Sequence, residues 1–146
     1  MSISAADYGR LLAEAIKLAR ANAPCAVDDL FRCTSQAAEA VSGVTGGRAV
    51  LELVPINQGA RAERTYQLQL RKVGSEAPPS DLGVYRVTVA GYPIHRWYSR
   101  NGWEDHPDKP VQAYLNVGEL ERHFQWMVST PDSRLVVLVT FFQQNN

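Results

Sequence analysis

The sequence predicts an α+β fold: an N-terminal helical hairpin, an antiparallel sheet of about five strands, and one further helix before a last, central strand, in the order α-α-β-β-β-β-α-β. Three observations carry this. Apolar residues recur at helical spacing over the first forty or so positions, the pattern changes to alternation after Gly46-Gly47, and the strand-like runs are joined by short turn sequences. Strands linked in that way pair antiparallel, whereas alternating strand and helix would give a parallel sheet.

Ser4 with Asp7 forms an S-x-x-D variant of the capping box, and Tyr8, Leu11, Leu12, Ala15, Ile16 and Ala19 then follow on one face, predicting a helix to about Asn22. Pro24 is read as its stop. A second helix carries Val27, Leu30, Phe31, Thr34, Ala38 and Val41 and ends near Ser42-Gly43. The connection is short, so the two helices are expected to pack antiparallel.

Arg48–Val54 and Thr65–Lys72 read as the first two strands. The second is apolar at Tyr66, Leu68 and Leu70 and polar at Thr65, Gln67, Gln69 and Arg71, so one of its faces should be wet. Gly74–Gly83, with Pro78-Pro79, is a surface loop. Val84–Ala90 and Ile94–Arg100 make a hairpin through Gly91, Tyr92 and Pro93. In its second strand Ile94, Arg96, Tyr98 and Arg100 oppose His95 and Trp97, with Trp97 expected inward. Residues 101–114 are read as a loop with at most a short edge strand. Asn116 caps a helix to about Ser129 that turns Val117, Leu120, Phe124, Met127 and Val128 inward, and Arg134–Phe142, apolar on both faces, is read as the central strand.

At 146 residues the chain is expected to form a single domain, 1–146, large enough for a core without disulfides. Fifteen basic and fifteen acidic residues cancel, giving no bulk attraction to nucleic acid or anionic membrane. No basic leader and no apolar run of spanning length is present, so a soluble, cytoplasmic protein is expected, and Cys25 and Cys33 are spaced too widely for a CxxC pair.

No catalytic, cofactor or metal motif of high specificity stands out. His95, Glu104, Asp105, His106 and Asp108 are metal-type ligands in one region, and a small enzyme site around residues 95–108 is one reading, but their spacing follows no HExxH pattern and no cofactor is assigned. Residues 61–100 hold seven basic groups (Arg61, Arg64, Arg71, Lys72, Arg86, Arg96, Arg100) against three acidic ones (Glu63, Glu76, Asp81), a local excess of four. Arg71, Arg86, Arg96 and Arg100 are thus candidates for single-stranded nucleic-acid or anionic-ligand binding on the sheet. Nucleic acid is nonetheless the less favoured partner. Trp126 lies about 180° from Val117 on its helix, near Glu119, Arg122 and His123, and an outward aromatic ringed by polar groups is the composition of an interface anchor. The leading expectation is therefore a non-enzymatic protein–protein interaction module, self-association included, with Trp126, Glu119, Arg122 and His123 on its partner-binding face.

Overall fold

The computed structural model describes residues 3–56 and 64–144, with backbone alone at 20, 22–24 and 144. Arg61 and Glu63 of the basic stretch lie outside the described residues.

Helix α1 spans Ala5–Thr45. The capping box forms as the sequence indicates: the Ser4 hydroxyl accepts from the Asp7 N–H, and the Asp7 carboxylate accepts from the Ser4 N–H. Gly46, in the left-handed region at φ 63°, ends the helix by donating its N–H to the Ser42 carbonyl. Both expected helical segments are helical, but no turn separates them, and they run end to end instead of folding back into a hairpin. From Ala26 onward the helix is seated on the domain: Ala26, Leu30, Cys33, Ala37 and Val41 are buried at spacings of three and four. Tyr8, Leu11, Leu12, Ile16 and Leu18 of the first half remain exposed.

Strands β1 (Ala49–Pro55), β2 (Arg64–Lys72), β3 (Ser80–Thr88), β4 (Gly91–Trp97) and β5 (Gln112–Tyr114) form one antiparallel sheet in sequence order. The α+β class and the first four strands agree with the sequence pattern, whereas β5 falls in the stretch read as a loop with at most a short edge strand. The β3–β4 turn falls at Val89-Ala90, between paired Thr88 and Gly91, slightly before the place that Gly91 suggests. Polar residues of β2 occupy the face away from α1, where the Glu52 carboxylate accepts from Gln69 at 2.9 Å and Arg71 at 3.1 Å.

On the other face, Leu51, Tyr66, Leu68, Leu70, Tyr85, Val87 and Ile94 meet the second half of α1, helix α3 (Val117–Ser129) and helix α4 (Arg134–Gln144) in one core. A bulge in β3 lets both Leu82 and Tyr85 face this core while Val84 faces away. Gly83 makes the bulge possible. Its φ is +122°, and a Cβ there would stand 2.7 Å from the Trp97 carbonyl oxygen.

Short helix α2 (Arg100–Asp105), capped by the Ser99 hydroxyl, brings Trp103 over Trp97 and Val84 and seals a second, smaller apolar cluster. Strand β4 is therefore buried on both sides: Ile94 in the main core, and Trp97 under α2 with its indole N–H donated to the His106 carbonyl at 2.8 Å.

The stretch read as a last, central strand, Arg134–Phe142, is instead helix α4. Leu135, Leu138, Val139 and Phe142 turn to the core at helical spacing, and the Ser133 hydroxyl accepts from the Val136 N–H at 3.2 Å to start the helix. A short run that is apolar on every side fits either period, and its β-branched residues favour the wrong one until the cap is weighed.

Candidate functional site

The groove that Trp126 borders is bounded by β4, β5, α3 and the start of α4 and has a volume of about 780 Å³. Four features of the chain build it. Asn116 caps α3 by accepting from the Glu119 N–H at 3.0 Å, and the Glu119 carboxylate folds back to accept from Leu115 N–H at 3.2 Å. With the helix start fixed, Leu120, Phe124 and Met127 enter the core, and Arg122 and Trp126, one turn apart, stand on the groove side. Alternation along β4 puts Arg96 and Tyr98 on the same side as Ile94, hence toward α3. The pairing of β5 with β4 adds Tyr114, and α4 adds Arg134.

The floor is a buried aromatic and imidazole stack. His123 lies against Tyr114, with ring centroids 4.7 Å apart, and its Nε2 is 2.6 Å from the Tyr85 hydroxyl. Burial, with a further push from the nearby Arg96 charge, takes the His123 pKa down from 6.5 to about 3. The imidazole is therefore neutral at physiological pH. The direction of its hydrogen bond with the Tyr85 hydroxyl follows the ring tautomer. Burial likewise raises Tyr85 well above the phenol range and pushes Tyr114 up to about 12, so neither supplies negative charge. His123 thus differs in setting from Trp126, which the helix arithmetic places beside it: the histidine is buried and the tryptophan is 51% exposed.

Above this neutral floor the groove is cationic. Arg96 donates to the Gln112 side chain at 3.1 Å and to the Leu82 carbonyl at 3.4 Å, with its guanidinium 5.3 Å from the Tyr98 ring centroid. Arg134 donates to the Asp81 carbonyl at 2.9 Å. Among the described residues no carboxylate is ion-paired with Arg96, Arg122 or Arg134, and the one carboxylate at the groove, Glu119, is already held by the Leu115 N–H. The arrangement can hold an anionic group between guanidinium donors while an apolar group lies on Trp126.

The sheet arginines do not converge. Arg71, Arg86 and Arg100 lie on the face away from α1. Arg71 pairs with Glu52, Arg100 pairs with Glu104, and Arg86 stacks 4.8 Å from the Trp97 ring centroid while donating to the Pro107 carbonyl. Arg96 is on the opposite face, in the groove. Near residues 95–108, Glu104 is tied to Arg100, the exposed His106 gives its carbonyl to Trp97, and His95 is half-buried on β4 opposite Ala113. Among the described residues no three His, Cys, Asp or Glu side chains gather as a metal site.

Sequence reasoning reaches the α3 side of this groove and misses the rest, because it places Tyr114 inside a loop and Arg134 at the end of a strand. Tyr98 and Arg96 do share a face with Ile94, a signal that is legible but ambiguous while either face of β4 could be the buried one. Among the described residues no helix is long and apolar enough to cross a membrane. Comparison of the chain with protein-family models, with curated proteins and with solved structures finds no match, so the groove must be read from its own chemistry.

Proposed function

We propose that the protein is a non-enzymatic interaction module that binds a segment of another protein in the groove beside Trp126. The observation that carries this reading is the pairing of a half-exposed indole with three arginines that, among the described residues, form no ion pair with a carboxylate. An indole left in water forgoes burial that a partner restores, and aromatic and arginine side chains are the residues that dominate binding energies at interfaces. Unneutralised guanidinium groups select for acidic partners and speed encounter with them. Glu119, Arg122 and His123 have distinct parts in this reading: Arg122 meets the partner, Glu119 fixes the helix start, and His123 supplies the floor. We place the interaction in the cytoplasm, where thiols such as the free Cys25 and Cys33 stay reduced.

The test is capture of partners from native lysate by the wild-type protein, Trp126→Ala and Arg122→Glu. Both substitutions should abolish capture of a shared partner while leaving unfolding stability within about 1 kcal/mol, the range for surface changes. Equal capture by all three proteins would refute the reading. A second reading, an anionic small ligand or nucleic-acid strand, is favoured by the same arginines, above all Arg96 between its aromatic neighbours. It differs in predicting binding of isolated phosphate-bearing ligands that weakens steeply with salt.

A further inference from the structure

Two of the guanidinium groups in the groove are tied to neighbouring points of one strand. Arg134 donates through Nε to the Asp81 carbonyl at 2.9 Å, and Arg96 donates to the carbonyl of the next residue, Leu82, at 3.4 Å. Consecutive Cα atoms stand about 3.8 Å apart. Strand β3 therefore tethers a cation from α4 and a cation from β4 to adjacent peptide groups, in the groove that Arg122 borders from α3. Like charges held in this way repel one another. The Asp81 carboxylate forms an ion pair with neither: it accepts from the Gly83 N–H at 3.0 Å and the Arg100 N–H at 2.6 Å.

Across the groove lining, the guanidinium groups of Arg96, Arg122 and Arg134 stand against the single carboxylate of Glu119, an excess of two positive charges, and the neutral His123 adds none. An aspartate or glutamate of a partner would offset half of that excess. A phosphate monoester carries about 1.5 to 2 negative charges at neutral pH and presents three acceptor oxygens, which suits guanidinium forks approaching from different elements. The groove, at about 780 Å³, is also far larger than a lone phosphate and falls within the roughly 300–1,000 Å³ of sites that enclose a whole ligand. Beside it β5 is an edge: it pairs with β4 on one side, no strand pairs with its other side among the described residues, and exposed Ala113 lines the groove. An open strand edge next to an anion site can take an extended peptide as a further strand, which a nucleotide cannot supply. The balanced charge of the whole chain, fifteen basic against fifteen acidic residues, likewise gives a nucleic-acid backbone no general attraction.

We infer that the groove takes a phosphorylated side chain of a partner protein, with the phosphate among Arg96, Arg134 and Arg122 and a neighbouring residue of the partner on the Trp126 indole. This rests on the interaction-module reading, and it makes the partner's binding conditional on its phosphorylation.

The experiment repeats the lysate capture after treating the lysate with a broad-specificity protein phosphatase. Beside it, fluorescence polarisation measures direct binding of short randomised peptide pools with a central phosphoserine, phosphothreonine or phosphotyrosine, or with the same residue unmodified. Phosphatase treatment should abolish the capture that depends on Trp126. At least one phosphorylated pool should bind about tenfold or more tighter than its unmodified counterpart, the effect of one or more charge-assisted hydrogen bonds. Arg122→Gln and Arg134→Gln, both at exposed positions, should each lose most of this preference with an unchanged near-ultraviolet circular dichroism spectrum. Trp126→Ala should weaken phosphorylated and unmodified pools by the same factor, because it meets the flanking residue. Capture and pool binding that ignore phosphate yet are lost in Trp126→Ala would overturn the inference and leave the interaction-module reading standing. Capture unaffected by any of these substitutions would remove both. A single-stranded oligonucleotide with a 5′-phosphate that displaces the phosphorylated pool at equal concentration would overturn the assignment to a protein partner.

Discussion

Replacing His123 by glutamine isolates an imidazole that burial holds strongly toward the neutral form. The side chain is buried, shares a hydrogen bond with the Tyr85 hydroxyl through Nε2 and stacks on Tyr114, with the Arg96 charge nearby. Its folded-state pKa is about 3 against 6.5 for the free group. In the unfolded chain the imidazole protonates as pH falls through 6.5, and in the folded protein it does not until about 3, so the unfolded state binds more protons throughout that window. Stability associated with the neutral histidine is therefore fully present above 6.5 and is lost progressively on acidification toward 3. At about 1.4 kcal/mol per pH unit, lowering the pH from about 7 to about 5 removes about 2 kcal/mol. That value is insensitive to the folded pKa because the lower pH still lies well above it. The amide introduced by His123→Gln carries no charge at any pH and can still accept from Tyr85, so the variant lacks this pH-linked component. Urea unfolding of both proteins at the two pH values gives the comparison, with other titrating groups cancelling in the difference. Wild type should lose about 2 kcal/mol more than His123→Gln on acidification. Equal losses would mean that His123 is solvated and titrates normally, and the neutral floor of the groove would be wrong.

Three further substitutions probe the frame that holds the groove. Gly83→Ala adds a Cβ 2.7 Å from the Trp97 carbonyl oxygen at a φ of +122°, and should lower unfolding stability by about 2–4 kcal/mol; an unchanged denaturation midpoint would show that the β3 bulge relaxes freely. Leu135→Ala should cost about 2–5 kcal/mol because that side chain is 2% exposed, whereas Val137→Ala, 51% exposed on the other side of α4, should stay within about 0.5 kcal/mol, and equal costs would contradict the helix.

What is legible in the sequence follows a physical line. Local chemistry that closes on itself within a few residues can be read directly: the Ser4 and Asp7 capping box, the Asn116 cap of α3, and the two-period pattern of β2, whose polar face is the outer face of the sheet. Features decided by remote packing cannot. Arg134–Gln144 is strand-like by composition and becomes helical because α1 and α3 offer a surface that Leu135, Leu138, Val139 and Phe142 fill at helical spacing. The 101–114 segment reads as loop because its Trp103–Pro110 stretch is too polar and proline-broken for a strand, yet the Ser99 cap starts α2 there and Trp103 closes on Trp97. The groove is half legible for the same reason: Arg122 and Trp126 share one helix, while Arg96, Tyr114 and Arg134 reach them only through β4, β5 and α4.

Helix α1 shows most clearly how periodicity and burial part company. A repeat of apolar residues at three and four states that a face exists to be covered and is silent on whose surface covers it. Ala26, Leu30, Cys33, Ala37 and Val41 lie buried in the core, where α1 packs with α3 and the sheet, and their packing belongs to the stability of the folded chain. Leu11, Leu12 and Ile16 obey the same repeat one stretch earlier and are exposed, so their burial can contribute only when something outside the domain arrives. A hairpin is the natural sequence-level solution because it covers the first segment with the second and leaves nothing over. The continuous helix departs from that arrangement: it commits its second half to the fold and leaves Tyr8, Leu11, Leu12 and Ile16 of its first half exposed.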